Sequence, residues 1–260
     1  MKDHEFTTKC NDIDLFYRVY GQGPVLLLLH GFFASGEMWT PYIPILSSQF
    51  RLIIPDMRGH GRSTNPSGQF THRQSAMDIY ALLDQCQVNT FFAAGLSSGG
   101  MTLLHMATQQ HGRVKTMILI AATSYFPEQA RSMIRPTSMP DESNPGLGEL
   151  RAIHVHGDDQ IRALCAQFQG FGSSYDDMNF TPPYLSTITA RTLIVHGDRD
   201  EFFPVGIPVE MYGAIPDSAL WIVPNAGHSL SQLWSVPTVR AQDGSDPVLE
   251  FLGGTKSTRC

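Results

Sequence analysis

The stretch Gly95-Leu96-Ser97-Ser98-Gly99-Gly100 lies between a predicted strand and a sequence with helical periodicity. A serine held on so sharp a strand-to-helix turn has a strained backbone, and the residues two positions before and after it must be small. Ser97 has glycine at both positions, whereas Ser98 has Leu96 two residues before it. The turn would hold the Ser97 hydroxyl above the sheet, near a helix N-terminus whose free N–H groups favour developing negative charge. The pattern indicates a nucleophilic serine, and an ordinary turn rich in Gly and Ser is the alternative.

A serine becomes a useful nucleophile only with an adjacent base and a third group that orients this base. Two later strand ends carry suitable side chains: Gly197-Asp198-Arg199-Asp200 follows one predicted strand, and Pro224-Asn225-Ala226-Gly227-His228 follows the last. Spacing alone does not decide whether Asp198 or Asp200 is the acid. An earlier strand ends in His30-Gly31-Phe32-Phe33, where a backbone N–H could point at the serine. Four such features at four strand ends favour a catalytic site over a coincidence.

Short apolar runs alternate with longer amphipathic ones over most of the chain, which is typical of a parallel sheet with helices on both faces. The predicted strands are residues 13–20, 25–29, 51–55, 90–94, 115–121, 192–196 and 219–223. The runs at 25–29 and 192–196 are nearly continuous in Val, Leu and Ile, as expected for strands buried on both sides. Helices are predicted at 72–87 and 98–110. The sequence therefore predicts an α/β fold with a mostly parallel central sheet.

The alternation stops between residues 125 and 190, a segment richer in Met, Pro, Gly and Phe. We predict two helices in it, one at 158–169 and a short one that starts at Thr181-Pro182 and runs towards residue 188. A connection this long should have structure of its own, so we predict a helical cap (125–190) inserted in a core domain (1–124 and 191–260). Both ends of the cap should reach the carboxyl edge of the sheet, where α/β folds bind ligands. Some of its large apolar side chains should therefore face Ser97; the candidates are Phe168, Phe171, Tyr175, Met178 and Phe180.

Taken together, these motifs resemble the α/β-hydrolase family, and within it the serine esterases and lactonases. The matching segments are His30-Gly31-Phe32-Phe33, Asp56-Met57-Arg58-Gly59-His60-Gly61-Arg62-Ser63, and residues 95–100, 197–200 and 227–228. The order Ser, Asp, His along the chain is also that of the family. The resemblance implies that Ser97 is the nucleophile, Asp200 the orienting acid and His228 the base. It further implies an oxyanion hole formed by the backbone N–H groups of Phe32 and Ser98.

A serine nucleophile implies acyl transfer, in which the serine oxygen attacks a carbonyl and water later releases the acyl group. An apolar substrate pocket is predicted from the residues that flank the expected site: Phe32, Phe33, Trp39 and Met101, with Met38. We therefore predict hydrolysis of a carboxylic ester or lactone of a small to medium apolar substrate. Two alternatives remain open: a carbon–carbon bond hydrolase or cofactor-free perhydrolase, and a small-molecule receptor with a vestigial triad. The leaving group, acyl length and enantiopreference are not determined by the sequence.

One further motif, His154-Val155-His156-Gly157-Asp158-Asp159, is similar to the H-x-H-x-D-H run of metallo-hydrolases. Its last histidine is replaced by aspartate, no other ligand cluster accompanies it, and it lies in the predicted cap, so we expect no metal. We expect no organic cofactor either, because the sequence has neither a dinucleotide fingerprint nor a P-loop. Loop-bracing roles are expected for four polar side chains of the remaining motifs: His30, Asp56, Arg58 and His60.

The composition limits the remaining possibilities. Of 260 residues, 42% are apolar and 16% charged, the formal net charge is −6, and Lys and Arg form no cluster, so neither nucleic acid nor an anionic membrane is expected as partner. Without an apolar run of about 18 residues or an apolar segment near Met1, we expect neither a membrane span nor a signal peptide. The four cysteines form no metal or disulfide pattern, and Cys86 and Cys165 are expected to be reduced core residues. We predict a cytoplasmic enzyme for a small-molecule substrate, of undetermined oligomeric state.

Overall fold

The computed structural model describes residues 4–229 and 251–252. Its strands are β1 (His4–Cys10), β2 (Ile13–Tyr20), β3 (Val25–Leu29), β4 (Arg51–Pro55), β5 (Phe91–Leu96), β6 (Val114–Ile120), β7 (Arg191–Gly197) and β8 (Ser218–Val223). Its helices are a 3₁₀ helix (Gly36–Tyr42) and α1 (Ile43–Leu46), α2 (His72–Gln85), α3 (Ser98–Gln109), α4 (Glu128–Ile134), α5 (Pro145–Ile153), α6 (Asp158–Phe171), α7 (Pro182–Leu185) and α8 (Gly206–Ala214). The predicted strands at 13–20, 25–29 and 51–55 have the observed bounds, and the other four are correct to within two residues.

The strands form an eight-stranded sheet in the order β1-β2-β4-β3-β5-β6-β7-β8. β1 pairs with β2 and β2 pairs with β4 in antiparallel fashion, and every pairing from β3–β4 to β7–β8 is parallel. The predicted α/β fold with a mostly parallel sheet is therefore confirmed. Because parallel strands point the same way, the segments that follow β3, β5, β7 and β8 meet at one edge of the sheet.

Both faces of the sheet are covered, as β3 illustrates. Leu26, Leu27, Leu28 and Leu29 are each at most 1% exposed. Side chains alternate along a strand, so Leu27 and Leu29 pack in a core with α2 and α3, whereas Leu26 and Leu28 pack with the 3₁₀ helix and α1 on the opposite face. This central strand has no solvent-facing side, which explains its continuous apolar sequence.

The sequence prediction omits β1 and α8. Strand β1 pairs with β2 alone at the edge of the sheet, and its side chains are mostly exposed. Backbone pairing rather than apolar burial holds it there, so its largely polar sequence gives no strand signal. Helix α8 contains one proline and two glycines in nine residues, which weakens any helical pattern in the sequence.

The connection between β6 and β7 contains four helices, α4 to α7, where two were predicted, and every residue of it is described. Helix α6 begins at the predicted residue, and α7 lies within the predicted short helix. Helices α4 and α5 have only seven and nine residues, too few for a clear periodic signal. Residues 125–190 are called the insertion from here on.

Three cysteines are described, and each is a free thiol. Cys165 is buried, as predicted, whereas Cys86 is only half-buried. Burial raises the pKa of Cys10 to about 11, and Cys260 lies outside the described residues. No helix in the described part of the chain is long and apolar enough to span a bilayer.

Candidate active site

Ser97 lies on the turn between β5 and α3, with φ 51° and ψ −116°. This left-handed backbone is rare for a residue with a side chain, and the Ser97 N–H donates to the Ile120 carbonyl (2.8 Å). A Cβ on Gly95 would lie 2.5 Å from the Gly99 carbonyl carbon, and one on Gly99 would lie 2.5 Å from the Leu29 carbonyl oxygen. Since both obstacles are backbone atoms, the turn tolerates only glycine at these two positions.

The ends of β7 and β8 bring an acid and a base to this serine. His228 Nε2 lies 3.0 Å from Ser97 Oγ, and His228 Nδ1 lies 2.8 Å from Asp200 Oδ2. Asp198 does not reach the imidazole; its carboxylate lies 3.7 Å from Arg199 Nε. The geometry therefore selects Asp200, which the spacing of the sequence had left undecided against Asp198.

The Asp200 carboxylate is held rigidly. Its side chain is fully buried, and Oδ1 accepts hydrogen bonds from the N–H groups of Phe202 (2.8 Å) and Phe203 (2.9 Å). Burial by itself would raise the pKa of Asp200, but the hydrogen bonds from His228 and the Phe203 N–H outweigh it and hold this pKa below its usual range. The ionised carboxylate fixes the proton of His228 on Nδ1, so Nε2 is free to accept the Ser97 proton.

Phe32 and Ser98, whose N–H groups are predicted to form the oxyanion hole, lie in two segments next to Ser97. Ser98 is the first residue of α3, and the first N–H groups of a helix have no partner within it. Phe32 lies in a turn after β3 that closes when the Ala34 N–H donates to the Gly31 carbonyl (3.2 Å). Phe32 and Ser98 both border the cavity in front of Ser97, as an oxyanion hole requires.

The cavity in front of Ser97 has a volume of about 320 Å³ and a mainly aromatic and aliphatic lining. Its described lining includes Phe32, Phe33, Met38, Met101, Phe126, Ile134, Phe168, Phe171, Phe202 and Phe203, beside Ser97 and His228. Of the candidates in the insertion, Phe168 and Phe171 line the cavity, Met178 and Phe180 are buried in the core, and Tyr175 is 61% exposed.

The prediction that Trp39 lines the pocket is wrong. Trp39 is 2% exposed and packs in the core beneath the 3₁₀ helix, where its ring meets Tyr42. Met38, the neighbouring residue that was also predicted to flank the site, does line the cavity. Neighbouring residues on this helix point to different sides, and the sequence does not reveal which of two adjacent large apolar residues faces the core.

Comparison with known proteins tests the family suggested by the sequence motifs. A family model of the alpha/beta hydrolase fold matches residues 24–149. The pimeloyl-[acyl-carrier protein] methyl ester esterase of Vibrio vulnificus is 31% identical over 243 residues, which cover 83% of this chain and 91% of that protein. The chain belongs to the α/β-hydrolase family. The family suggested by the sequence motifs is thus confirmed.

Other members of the α/β-hydrolase family are more distant. The 2-hydroxy-6-oxo-6-(2'-aminophenyl)hexa-2,4-dienoic acid hydrolase of Metapseudomonas resinovorans is 23% identical over 261 residues, which cover 92% of this chain and 88% of the relative. The crystal structure of the enol-lactonase from Burkholderia xenovorans LB400 superposes with a TM-score of 0.72 at 21% identity, covering 95% of this chain and 100% of that chain. The second likeness shows the fold alone.

The protein contains a second hydrogen-bonded series of Ser, His and Asp, which the sequence did not reveal. His72 Nε2 lies 3.1 Å from Ser98 Oγ, and His72 Nδ1 lies 2.6 Å from Asp177 Oδ2. Asp177 also accepts hydrogen bonds from the N–H groups of His72 (2.8 Å) and Arg73 (3.1 Å) at the start of α2. Burial would raise the pKa of Asp177, but the hydrogen bonds from His105 and His72 lower it well below its usual range. Asp177 thereby ties the insertion to α2 and, through His72, to Ser98.

The histidines of the metal-like motif contact loops of the core. His154 Nδ1 accepts a hydrogen bond from the Gly61 N–H (3.0 Å), and His154 Nε2 lies 3.2 Å from the Phe33 carbonyl oxygen. His156 Nε2 lies 3.1 Å from the Arg62 carbonyl oxygen. Within residues 4–229 and 251–252, no three His, Cys, Asp or Glu side chains are grouped so that they could hold a metal ion.

The residues expected to brace loops do so. Asp56 accepts hydrogen bonds from the N–H groups of Gly36 (2.8 Å) and Arg62 (2.9 Å). Arg58 forms a buried ion pair with Asp78 (2.7 Å). Two imidazoles complete the bracing: His30 Nε2 accepts from the Met57 N–H (2.8 Å), and His60 Nδ1 lies 2.9 Å from the Arg58 carbonyl oxygen.

Proposed function

We propose that this protein is a serine hydrolase that cleaves a carboxylic ester or lactone of a small to medium apolar substrate. The observation that carries the proposal is the hydrogen-bonded chain Ser97–His228–Asp200, which opens onto an apolar cavity beside two backbone N–H donors. Serine, base and orienting acid in this order are what acyl transfer to a serine needs.

In the proposed reaction, Ser97 Oγ attacks the substrate carbonyl while His228 Nε2 takes the serine proton. The negative charge on the carbonyl oxygen is stabilised by the N–H groups of Phe32 and Ser98, and each such donor contributes about 10² to 10³ in rate. The imidazolium, held by the ionised Asp200, gives its proton to the leaving oxygen as the ester C–O bond breaks. A water molecule deprotonated by His228 then hydrolyses the acyl-serine.

The lining of the cavity supports an apolar acyl or alcohol group. In the described lining no lysine or arginine is present to bind a substrate carboxylate. The Metapseudomonas resinovorans relative acts, by its name, on a dienoic acid, which carries such a carboxylate. We therefore rank ester or lactone hydrolysis above carbon–carbon bond hydrolysis, although a relative of each kind is similar to this chain.

A panel of p-nitrophenyl esters and lactones of graded length tests the proposal on the wild type and on Ser97→Ala. We expect turnover of short and medium apolar esters by the wild type and none by the variant. Turnover of a vinylogous diketone in preference to every ester would establish the carbon–carbon alternative. A folded wild type without measurable turnover of any activated ester, yet binding small apolar ligands, would establish the receptor alternative.

Phe168 gives a test of substrate size, because it is an aromatic residue of the insertion that lines the cavity. Phe168→Ala should shift the chain-length profile of kcat/KM by about 1 to 3 kcal/mol of discrimination, as for a hydrophobic pocket that loses a group. Turnover of the shortest ester should change much less. Tyr175→Ala is the matched control, since this aromatic residue of the insertion is exposed and absent from the lining. Equal scaling of all esters by Phe168→Ala would contradict a specificity role for the insertion.

A further inference from the structure

The turn that carries the Phe32 N–H is strained. Phe33 has φ 62°, in the left-handed region that a bulky side chain rarely adopts. Phe32 and Phe33 are the two central residues of this turn. Among the described backbone hydrogen bonds, only that from the Ala34 N–H to the Gly31 carbonyl (3.2 Å) closes it. Strained backbone persists where the surroundings hold it in place, so the contacts of the Phe33 peptide decide whether the turn keeps its shape.

His154 supplies such a contact from the insertion. The residue is 1% exposed and is the C-cap of α5. Because the Gly61 N–H can only donate, His154 Nδ1 is the acceptor of that bond (3.0 Å). The ring proton is then on Nε2, which donates to the Phe33 carbonyl oxygen (3.2 Å). One imidazole thus accepts a hydrogen bond from the Gly61 N–H on one side and donates one to the Phe33 carbonyl on the other.

The loop that orients His154 is itself fixed. Gly61 has φ 53°, and a Cβ on it would lie 2.1 Å from Asp56 Oδ2. The Val155 N–H donates back to the Gly61 carbonyl (3.3 Å), so the backbone next to His154 is tied to the same residue as its ring. The hydrogen bonds to Gly61 therefore determine the position and the tautomer of the His154 ring independently of its contact with Phe33.

We propose that His154 is a positioning residue of the oxyanion hole, which holds the strained Phe32–Phe33 turn so that the Phe32 N–H stays directed into the cavity. This inference rests on the proposed function, since it assumes that the Phe32 N–H stabilises a developing oxyanion. The insertion would then support a group that stabilises the oxyanion, in addition to lining the cavity through Phe168 and Phe171.

Burial keeps the His154 ring neutral near pH 7 and outweighs the Phe33 carbonyl and Asp56, which favour the protonated form. Burial lowers the pKa of His154 to about 4. The titratable groups nearby are His30, His60 and Asp56 from the core loops, and burial also lowers the pKa values of His30 and His60. A neutral imidazole has one donor and one acceptor, which is what the Phe33 carbonyl and the Gly61 N–H require.

The experiment compares His154→Phe and His154→Gln with the wild type, and uses His156→Gln as control. His156 lies two residues after His154 and also faces a backbone carbonyl. That carbonyl belongs to Arg62 rather than to the Phe32–Phe33 turn. For each variant, kcat and KM are measured on a p-nitrophenyl ester. Two dissociation constants are measured as well, one for an alkyl boronic acid, which forms a tetrahedral adduct, and one for the alcohol of equal chain length, which does not. Thermal unfolding establishes that each variant is folded.

We expect His154→Phe to lower kcat about 10- to 100-fold with little change in KM, less than the loss of a whole donor. The affinity of this variant for the boronic acid should fall in parallel with kcat, whereas its affinity for the alcohol should not change. His154→Gln should recover part of the loss in kcat and in boronate affinity, because its side chain keeps an N–H that can donate to the Phe33 carbonyl. His156→Gln should behave as wild type.

Wild-type kcat in folded His154→Phe, or equal weakening of boronate and alcohol, would overturn the inference, since His154 would then only support the cavity wall. A wild type inactive on every ester would instead refute the proposed function. The ratio of boronate to alcohol affinity would still show whether His154 shapes the hole.

Discussion

Ser97 and Ser98 are neighbours in the chain, and each hydroxyl faces a histidine that in turn faces an aspartate. Ser97 faces His228 and Asp200 at distances of 3.0 and 2.8 Å. Ser98 belongs to the chain with His72 and Asp177, with distances of 3.1 and 2.6 Å. The hydrogen-bond distances alone do not distinguish the Ser97–His228–Asp200 series from the Ser98–His72–Asp177 series.

Their surroundings differ. Ser97 stands on the strained turn, and the His228 side chain is 18% exposed at the cavity. Ser98 is in regular helical backbone, and the His72 side chain is fully buried behind it. Each aspartate also accepts hydrogen bonds from two backbone N–H groups. Both fall on Oδ1 of Asp200, which leaves Oδ2 for His228, whereas Oδ2 of Asp177 accepts from both the ring and the N–H of His72. We therefore infer that the backbone of the serine and the access to its histidine, rather than the hydrogen-bonded series alone, distinguish the proposed nucleophile Ser97 from Ser98.

The largest effect should come from Ser97→Ala. Removal of the proposed nucleophile should lower kcat for esters by about 10⁴-fold or more, while the midpoint of thermal unfolding changes little because a single oxygen at the cavity is lost. The measurement is kcat by stopped assay with unfolding by circular dichroism. Residual activity within tenfold of wild type would mean that Ser97 is not the nucleophile that attacks the substrate, and Ser98 would then be the candidate.

The next effect is that of Asp200→Asn. The amide cannot stabilise an imidazolium and can hold the wrong tautomer of His228, so kcat should fall by about 10⁴-fold. Asp198→Asn is the matched control, since its carboxylate lies by Arg199 and away from His228. Comparable losses in the two variants would remove the support for Asp200 as the orienting acid.

Asp177→Asn should act on stability more than on chemistry. The pKa of Asp177 is lowered in the folded state, so this carboxylate contributes stability above its unfolded pKa of about 3.9, and the contribution is lost as the pH falls below that value. At pH 7 the variant should lose up to about 3 kcal/mol of unfolding free energy, and its stability should fall less than that of the wild type between pH 5 and strongly acid conditions.

Urea titrations at several pH values measure this difference. Asp176→Asn, at the exposed neighbouring residue, serves as the control. Identical pH dependence in the wild type and Asp177→Asn would show that the buried chain contributes no acid-sensitive stability.

Ser98→Ala should have the smallest effect. The variant keeps the Ser98 N–H of the proposed oxyanion hole and loses only the hydroxyl bonded to His72, so we expect kcat within a few-fold of wild type. The unpaired His72 nitrogen should cost about 1 kcal/mol of stability. An inactive but folded Ser98→Ala variant would reverse the assignment of the two serines.

Much of this arrangement could be predicted because it is local in the sequence. Strand β3 is a continuous apolar run, and Gly95 and Gly99 flank Ser97 at fixed offsets. The structure brings Ser97, Asp200 and His228 together as the motifs predicted, and their catalytic roles remain our proposal.

The partners that could not be predicted belong to the insertion, where no motif at the end of a core strand marks them. Asp177 lies 105 residues from His72, and His154 lies 121 residues from Phe33. No spacing rule connects such pairs, since one partner belongs to the insertion and the other to the core. The prediction for Trp39 was wrong for a different reason: packing decides which of two neighbouring residues on a short helix faces the cavity.

The ring of Phe32 lies 5.3 Å from Phe168 and 5.2 Å from Phe171, both in the insertion, and 4.6 Å from His60 in the core. Its own N–H is one of the two donors proposed to receive the oxyanion. One residue thus belongs to the cavity wall through its ring and to the proposed oxyanion hole through its backbone. We therefore expect position 32 to accept fewer substitutions than the other positions of the wall.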